Sequence, residues 1–230
     1  MTVDRAHMPS SLRYEAEERT IILRPARVSD ASAVHGAVQE SQGELRKFMQ
    51  WSHLPLTVKH QKTRLKKAVQ DYKEGRELLF HLYQSDGGPF LGSLGLHHRT
   101  LSRYAFEIGY WIHSEYSGRG LATLGTQCLV VLAFDYLGCH RVQCGYNEAN
   151  TASQRVNEKV GFAFEGRMRN FETPPSEELI RNGLLIQPYT IMNALFPEDR
   201  SRLPWYGEVA NHLQVFDGKG KLASPGFAME

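Results

Sequence analysis

The order of strand-like and helix-like patterns along this 230-residue chain predicts a mixed α/β fold, a central sheet with flanking helices. Short alternating segments joined by turn residues fill 78–112, as in an antiparallel meander. From 105 onward the pattern becomes strand–helix–strand–helix–strand. Glycines close the helix patterns at Gly75, Gly138 and Gly161, where a left-handed residue ends a helix without a Cβ clash.

Residues 1–18 are polar and unpatterned, and 1–19 are expected to be an N-terminal extension that frays. Residues 20–24 read as a strand closed by Pro25. Ser29 and Asp30 offer caps for a helix to about Ser41, and Thr57 caps a second over 58–74, with Leu65, Ala68, Val69 and Tyr72 at helical spacing. Residues 78–84 and 90–96 form strands around the turn Ser85-Asp-Gly-Gly88, where glycine accepts positive φ. Residues 99–103 turn again, and 105–112 is the next strand. A long helix is expected over 121–137, a strand over 140–146 and a helix over 150–160. A further strand begins at 162, and the last runs over 184–192, with Pro188 suggesting an edge or bulge. The main domain is then 20–196, and 197–230 is a tail partly docked through Trp205 and Tyr206.

With 41% hydrophobic and 23% charged residues, the chain is that of a globular protein with a sizeable core. A net charge of +2 is too mild for a nucleic-acid partner, and the basic run 59–67 reads as a solvated helix face or a contact for an acidic surface. No apolar run approaches the roughly 20 residues that span a bilayer, and the N-terminus lacks a signal-peptide core, so no membrane partner and a cytoplasmic location are expected. Cys128, Cys139 and Cys144 lack metal-site spacing and read as buried reduced thiols. His97 and His98 fall on opposite sides of a strand, so no metal is expected there.

In Ser117-Gly-Arg-Gly-Leu-Ala122, two glycines let successive N–H groups turn into one concavity at the start of a helix. The first helical N–H groups lack partners and the helix dipole favours anions, so the loop suits a pyrophosphate, with Arg119 adding a cation. It lacks the Lys-Ser/Thr of a P-loop and the third glycine of a dinucleotide fold. Together with 107–123 and 147–162, in this order and separation, the loop resembles the GNAT acetyltransferase superfamily, in its RimJ/RimL-type branch. The resemblance spans about 20–195 and includes the segments 23–31 and 46–51.

That resemblance implies the GNAT fold, a mixed central sheet splayed between its fourth and fifth strands, and acetyl-CoA as co-substrate without a metal. The amides of Gly118, Arg119, Gly120, Leu121, Ala122 and Thr123 would hold the pyrophosphate. Tyr110 and Ile112 would pair with the pantetheine arm, and Asn150 and Ser153 would touch it; Asn150 also suits a helix cap. Two positions depart from the family. Ser117 stands where the loop normally begins with Arg or Gln, and Asn157 stands where many members carry a tyrosine that protonates the thiolate.

Glu107 shares a strand face with Gly109 and Trp111 and is either the general base or a paired strand carboxylate. The resemblance implies that Arg46 and Trp51 lie in the acceptor wall, and the aromatic Trp51 equally suits core packing. The expected reaction is direct acetyl transfer to a primary amine, a protein or peptide N-terminus or a small molecule. A non-catalytic acyl-CoA sensor is the alternative. The chain is expected to be a monomer or homodimer.

Overall fold

The computed structural model describes residues 8–17, 19–54, 56–98, 105–171, 174–185 and 188–226. The expected turn at 99–103 lies outside the described residues.

Among the described residues, nine strands form one sheet in the order β7-β8-β6-β5-β4-β3-β2-β1-β9. They are β1 (Ser11–Ala16), β2 (Arg19–Pro25), β3 (Glu77–Tyr83), β4 (Phe90–His97), β5 (Ala105–Ile112), β6 (Arg141–Asn147), β7 (Ala163–Arg169), β8 (Tyr189–Leu195) and β9 (Leu213–Phe216). The helices are α1 (Ala31–Glu40), α2 (Gln42–Phe48), α3 (Val58–Lys73), α4 (Leu121–Val131), α5 (Thr151–Val160), α6 (Glu177–Arg181) and α7 (Tyr206–His212). Strand alternation divides the sheet's faces. Leu78, Phe80, Leu94, Leu96, Phe106 and Ile108 join Leu129 and Leu132 in the main core. The intervening residues Leu79, His81, Ser93 and Trp111 face the side covered by α1 and α3. Each fully buried Leu or Phe contributes about 1.5–3 kcal/mol. Helix α4 lies so close to β4 that a Cβ on Gly125 would come within 2.7 Å of Leu94 Cδ2.

Several expectations are corrected by long-range pairing. Residues 11–16 are not unpatterned: Leu12 and Tyr14 are buried, and β1 pairs antiparallel with both β2 and β9. The strand expected over 184–192 begins only at Tyr189, and it is neither an edge nor the last. β8 lies between β6 and β7, with Pro188 just before it, where no ladder N–H is needed. The helix expected over 121–137 ends its α-helical part at Val131 and continues as a π turn, Leu132–Tyr136, in which Leu137 N–H donates to Leu132 O at 3.0 Å. Asp30 does not cap α1 with its side chain. It is drawn instead into Arg24 (2.7 and 2.9 Å) and His81 (2.7 Å), because a buried carboxylate needs hydrogen-bond donors. Thr57 does cap α3, accepting from His60 N–H at 3.2 Å. In the C-terminal segment, Trp205 Nε1 donates to Val160 O and Tyr206 Oη to Asp135 Oδ1, each at 2.9 Å.

Candidate active site

The sheet opens at the single parallel pair among the described residues. β5 and β6 are joined only by Ala105–Arg141, Phe106–Val142 and Glu107–Gln143. Beyond Glu107, β5 stays paired with β4 out to Ile112, and β6 stays paired with β8 out to Asn147. The two strands part while their outer edges remain held. Their inner backbone edges are left facing a gap suited to an extended ligand. These strands are the fourth and fifth counted from β2, where the splay is expected.

At the outer end of the gap lies the glycine loop. Gly118 and Gly120 have φ of 77° and 74°, the left-handed region that glycine enters without steric cost. Gly120 is the cap residue before α4 and offers no side chain to cap it. Its first N–H groups are therefore open to an anion. The preceding turn is tied down, since Ser114 N–H donates to Ser41 Oγ at 2.9 Å. A cleft of about 600 Å³ is lined by Gly118, Gly120, Leu121, Ala122 and Thr123, by Tyr110 and Ile112, and by Asn150 and Ser153. Asn150 also caps α5, its Oδ1 accepting from Ser153 N–H at 3.0 Å, so its two expected roles coexist in one geometry.

Arg119 is not among the cleft-lining residues. Its guanidinium folds back to donate to Glu115 O at 3.2 Å and lies 5.3 Å from the Tyr116 ring centre. The cations lining the cleft are Arg155 and Lys159 on α5, four residues apart on one helix face. Arg19 braces the loop from outside, donating to Arg119 O at 2.8 Å. The spacing of Arg155 and Lys159 beside Asn150 and Ser153 was readable in the sequence. The contact of Arg19, 100 residues from Arg119, had no local signal.

Inside the gap, a second cavity of about 470 Å³ meets Glu107, Gly109, Tyr110, Cys144 and Trp51. Tyr110 Oη lies 2.8 Å from Ser153 Oγ, bridging β5 and α5. Burial and the neighbouring Cys144 raise the Tyr110 pKa well above its ordinary value. Asn157 is buried and turned inward, donating to Ser153 O at 3.0 Å and to Cys144 Sγ at 3.4 Å. Burial pushes the Cys144 thiol up to about 12. All three cysteines are free and buried.

A third cavity, about 480 Å³, lies between the sheet and α1 and α3. Trp51 stands on its wall, 6.2 Å from the Trp111 ring centre, with the Arg64 guanidinium 4.8 Å over its own ring. Arg46 lines none of these three cavities. The floor carries a polar row set by register: Glu77 opposite His97, His97 opposite Glu107, Glu107 opposite Gln143. Gln143 Nε2 donates to Glu107 Oε2 at 3.0 Å, and His97 Nδ1 lies 3.6 Å from Glu77 Oε2. His98 turns to the other face, against the Phe106 ring. Away from these cavities, ligand atoms of Glu40, His113 and Glu115 lie within 4.8 Å of one another, with His113 Nε2 2.8 Å from Glu40 Oε2.

A mixed sheet parted at one parallel pair, with an uncapped helix and a glycine loop at the mouth, defines an acetyltransferase of the GNAT class. The chain belongs to that family: residues 20–163 match the acetyltransferase (GNAT) domain. It is 30% identical over 154 residues to the probable N-acetyltransferase YjcK of Bacillus subtilis (strain 168), covering 66% of this chain and 84% of that protein. Among solved structures, Mycobacterium smegmatis RimJ in complex with CoA-disulfide superposes with a TM-score of 0.72 at 22% identity, covering 89% of this chain and 96% of RimJ. The ribosomal L7/L12 alpha-N-protein acetyltransferase RimL, in complex with coenzyme A, gives 0.69 at 19% identity, covering 80% and 97%. Among the described residues, no helix is long and apolar enough to cross a membrane.

Proposed function

We propose that this acetyltransferase uses acetyl-CoA and transfers the acetyl group directly to the α-amine of a protein or peptide N-terminus. The observation that carries the reading is the continuity of the gap, from the uncapped α4 through Tyr110 to Glu107. The amides of residues 118–123 would hold the pyrophosphate, with Arg155 and Lys159 supplying the cations that Ser117 does not. The pantetheine arm would extend along β5, bringing the thioester carbonyl to the backbone N–H groups near Gly109 and Tyr110, which polarise it. The hydroxyls of Tyr110 and Ser153 lie beside the path of the departing sulfur and would return a proton to it.

Magnitudes favour an α-amine. At about pH 7, neutralising a lysine of reference pKa about 10.4 costs roughly 4.6 kcal/mol, whereas an α-amine costs only about 1 kcal/mol. A modest base suffices for the latter. The row Glu77–His97–Glu107 supplies it, with Glu107 the member that lines both the gap and the acceptor cavity. RimL, whose fold this chain shares, is described as a ribosomal L7/L12 alpha-N-protein acetyltransferase, which is the same acceptor class.

Release of free thiol from acetyl-CoA, measured against N-terminal peptides and small amines, tests the reading. Turnover with peptides whose α-amine is free, abolished when that amine is blocked, is expected. Turnover with small amines alone would make the protein a small-molecule acetyltransferase. Tight acetyl-CoA binding without acceptor-dependent thiol release would make it a sensor.

A further inference from the structure

We infer that His97 is the group that receives the acceptor's proton, held for that task by Glu77. The inference rests on the acetyl-transfer reading above and specifies which member of the polar row acts.

The ring's position carries it. A Cβ on Gly95 would come within 2.7 Å of His97 Nε2, and one on Gly109 within 3.3 Å. The imidazole therefore lies across two glycines, in space that a side chain at either position would invade. Gly109 lines both the gap and the cavity under α1 and α3 and is the β5 residue beside which the thioester carbonyl is to sit, so Nε2 approaches that residue from the side of the latter cavity. The opposite nitrogen, Nδ1, faces Glu77 Oε2 at 3.6 Å. A carboxylate beside Nδ1 favours the tautomer with its proton on Nδ1, leaving the Nε2 lone pair free. Glu77 responds as expected of such a pair, its pKa lowered chiefly by His97.

Glu107 is the neighbouring carboxylate, and its Oε2 accepts from Gln143 at the last rung before the strands part. It is suited to attract the ammonium form of the acceptor and to stabilise an imidazolium beside it. Imidazoles ordinarily titrate at about pH 6.5 and carboxylates at about pH 4, so an imidazole is the better match to an α-amine near pH 7. The other charged or titratable groups lining this cavity are His81 on β3, Tyr110 on β5, and Arg64, Lys67 and Asp71 on α3. Asp71 is already paired with Lys67 and Arg76.

The chemical balance is simple. The neutral amine attacks the thioester carbonyl, forming the N–C bond. The C–S bond breaks with its electron pair on sulfur. The amine proton passes to His97 Nε2, directly or through one water, and from there to solvent.

The test uses the full chain with acetyl-CoA and whichever amine from the panel turns over fastest. His97→Gln is expected to lower kcat at least tenfold, to leave the KM for acetyl-CoA within twofold, and to remove the acid limb of the kcat/KM profile. Gly95→Ala, which keeps the imidazole but displaces it, should lower kcat in the same direction. Circular dichroism and Tm confirm that each variant is folded. Histidine nitrogen NMR on the wild type should show neutral His97 protonated at Nδ1. If His97→Gln keeps kcat within twofold and retains the acid limb while Glu107→Gln loses activity, His97 is not the acceptor and the acetyl-transfer reading survives. Protonation of neutral His97 at Nε2 also overturns the assignment. If no amine releases thiol with the wild type, the acetyl-transfer reading fails and the role of His97 falls with it.

Discussion

Tyr110 on β5 and Ser153 at the first turn of α5 hold their hydroxyl oxygens 2.8 Å apart across the opening between β5 and β6. The pair stands at the junction of the cofactor cleft and the inner cavity. Asn157, where the resemblance leads one to expect a tyrosine, is buried in bonds to Cys144, Ser153 and Asn193. A thiol leaving group of pKa about 8.5 needs little help from an acid. Tyr110→Phe and Ser153→Ala are each expected to lower kcat about tenfold, below the usual 10²–10⁴ range of general acid catalysis. The KM for acetyl-CoA should change by less than about threefold, read by steady-state thiol release. A fall of a thousandfold in either variant would show that the leaving group depends on this pair.

The glycine loop should act on affinity rather than on chemistry. Gly120 has φ of 74°, where an L-residue costs roughly 1–2 kcal/mol, and an added Cβ would lie 3.4 Å from Arg19 Nη1. Gly120→Ala is therefore expected to weaken acetyl-CoA binding about tenfold, since about 1.4 kcal/mol is a factor of ten. Ser117→Arg should tighten it by adding a phosphate contact, and Arg19→Ala should weaken it by freeing the Arg119 carbonyl. Calorimetric titration with acetyl-CoA reads all three. Weaker binding by Ser117→Arg would contradict this picture of the loop.

Asp30 should govern acid stability. Burial alone would raise its pKa, but hydrogen bonds from His81, Arg24 and the Arg27 N–H outweigh that and hold the carboxyl well below the usual range. A carboxylate with a lowered folded-state pKa contributes fully above the unfolded value of about 3.9 and loses that contribution as pH falls through the folded one. Asp30→Asn is expected to cost about 3 kcal/mol at pH 7 by leaving Arg24 and His81 without their acid. Denaturant melts at pH 7 and below pH 4 should show the variant's deficit shrinking in acid. An equal deficit at both would mean that the charge is not what matters.

The C-terminal segment should be needed for stability. Trp205 and Tyr206 bond to Val160 O and Asp135, and β9 covers the edge of β1. Removing residues 204–230 leaves that edge open to pairing with another chain. Thermal melts and light scattering of the truncated chain should show a lower Tm and aggregation. A monodisperse truncation with unchanged Tm would show that the segment is dispensable.

By itself the sequence determined the features that depend on local chemistry. Thr57 and Asn150 are read as caps because a short oxygen-bearing side chain reaches the next turn's N–H. Gly118 and Gly120 are read as an anion-binding turn because only glycine takes positive φ freely. Tertiary structure decided what depends on partners far along the chain. Ser11–Ala16 becomes a strand through β2 and β9, and β8 becomes interior because β7 covers it. Arg119 lies two residues beyond Ser117, yet it points back to Glu115 while Arg155 and Lys159 face the cleft. Glu77, His97 and Glu107 stand in one row only because strand register sets them opposite one another. No periodicity within a single strand carries that information, since cross-strand neighbours are fixed by pairing and not by spacing.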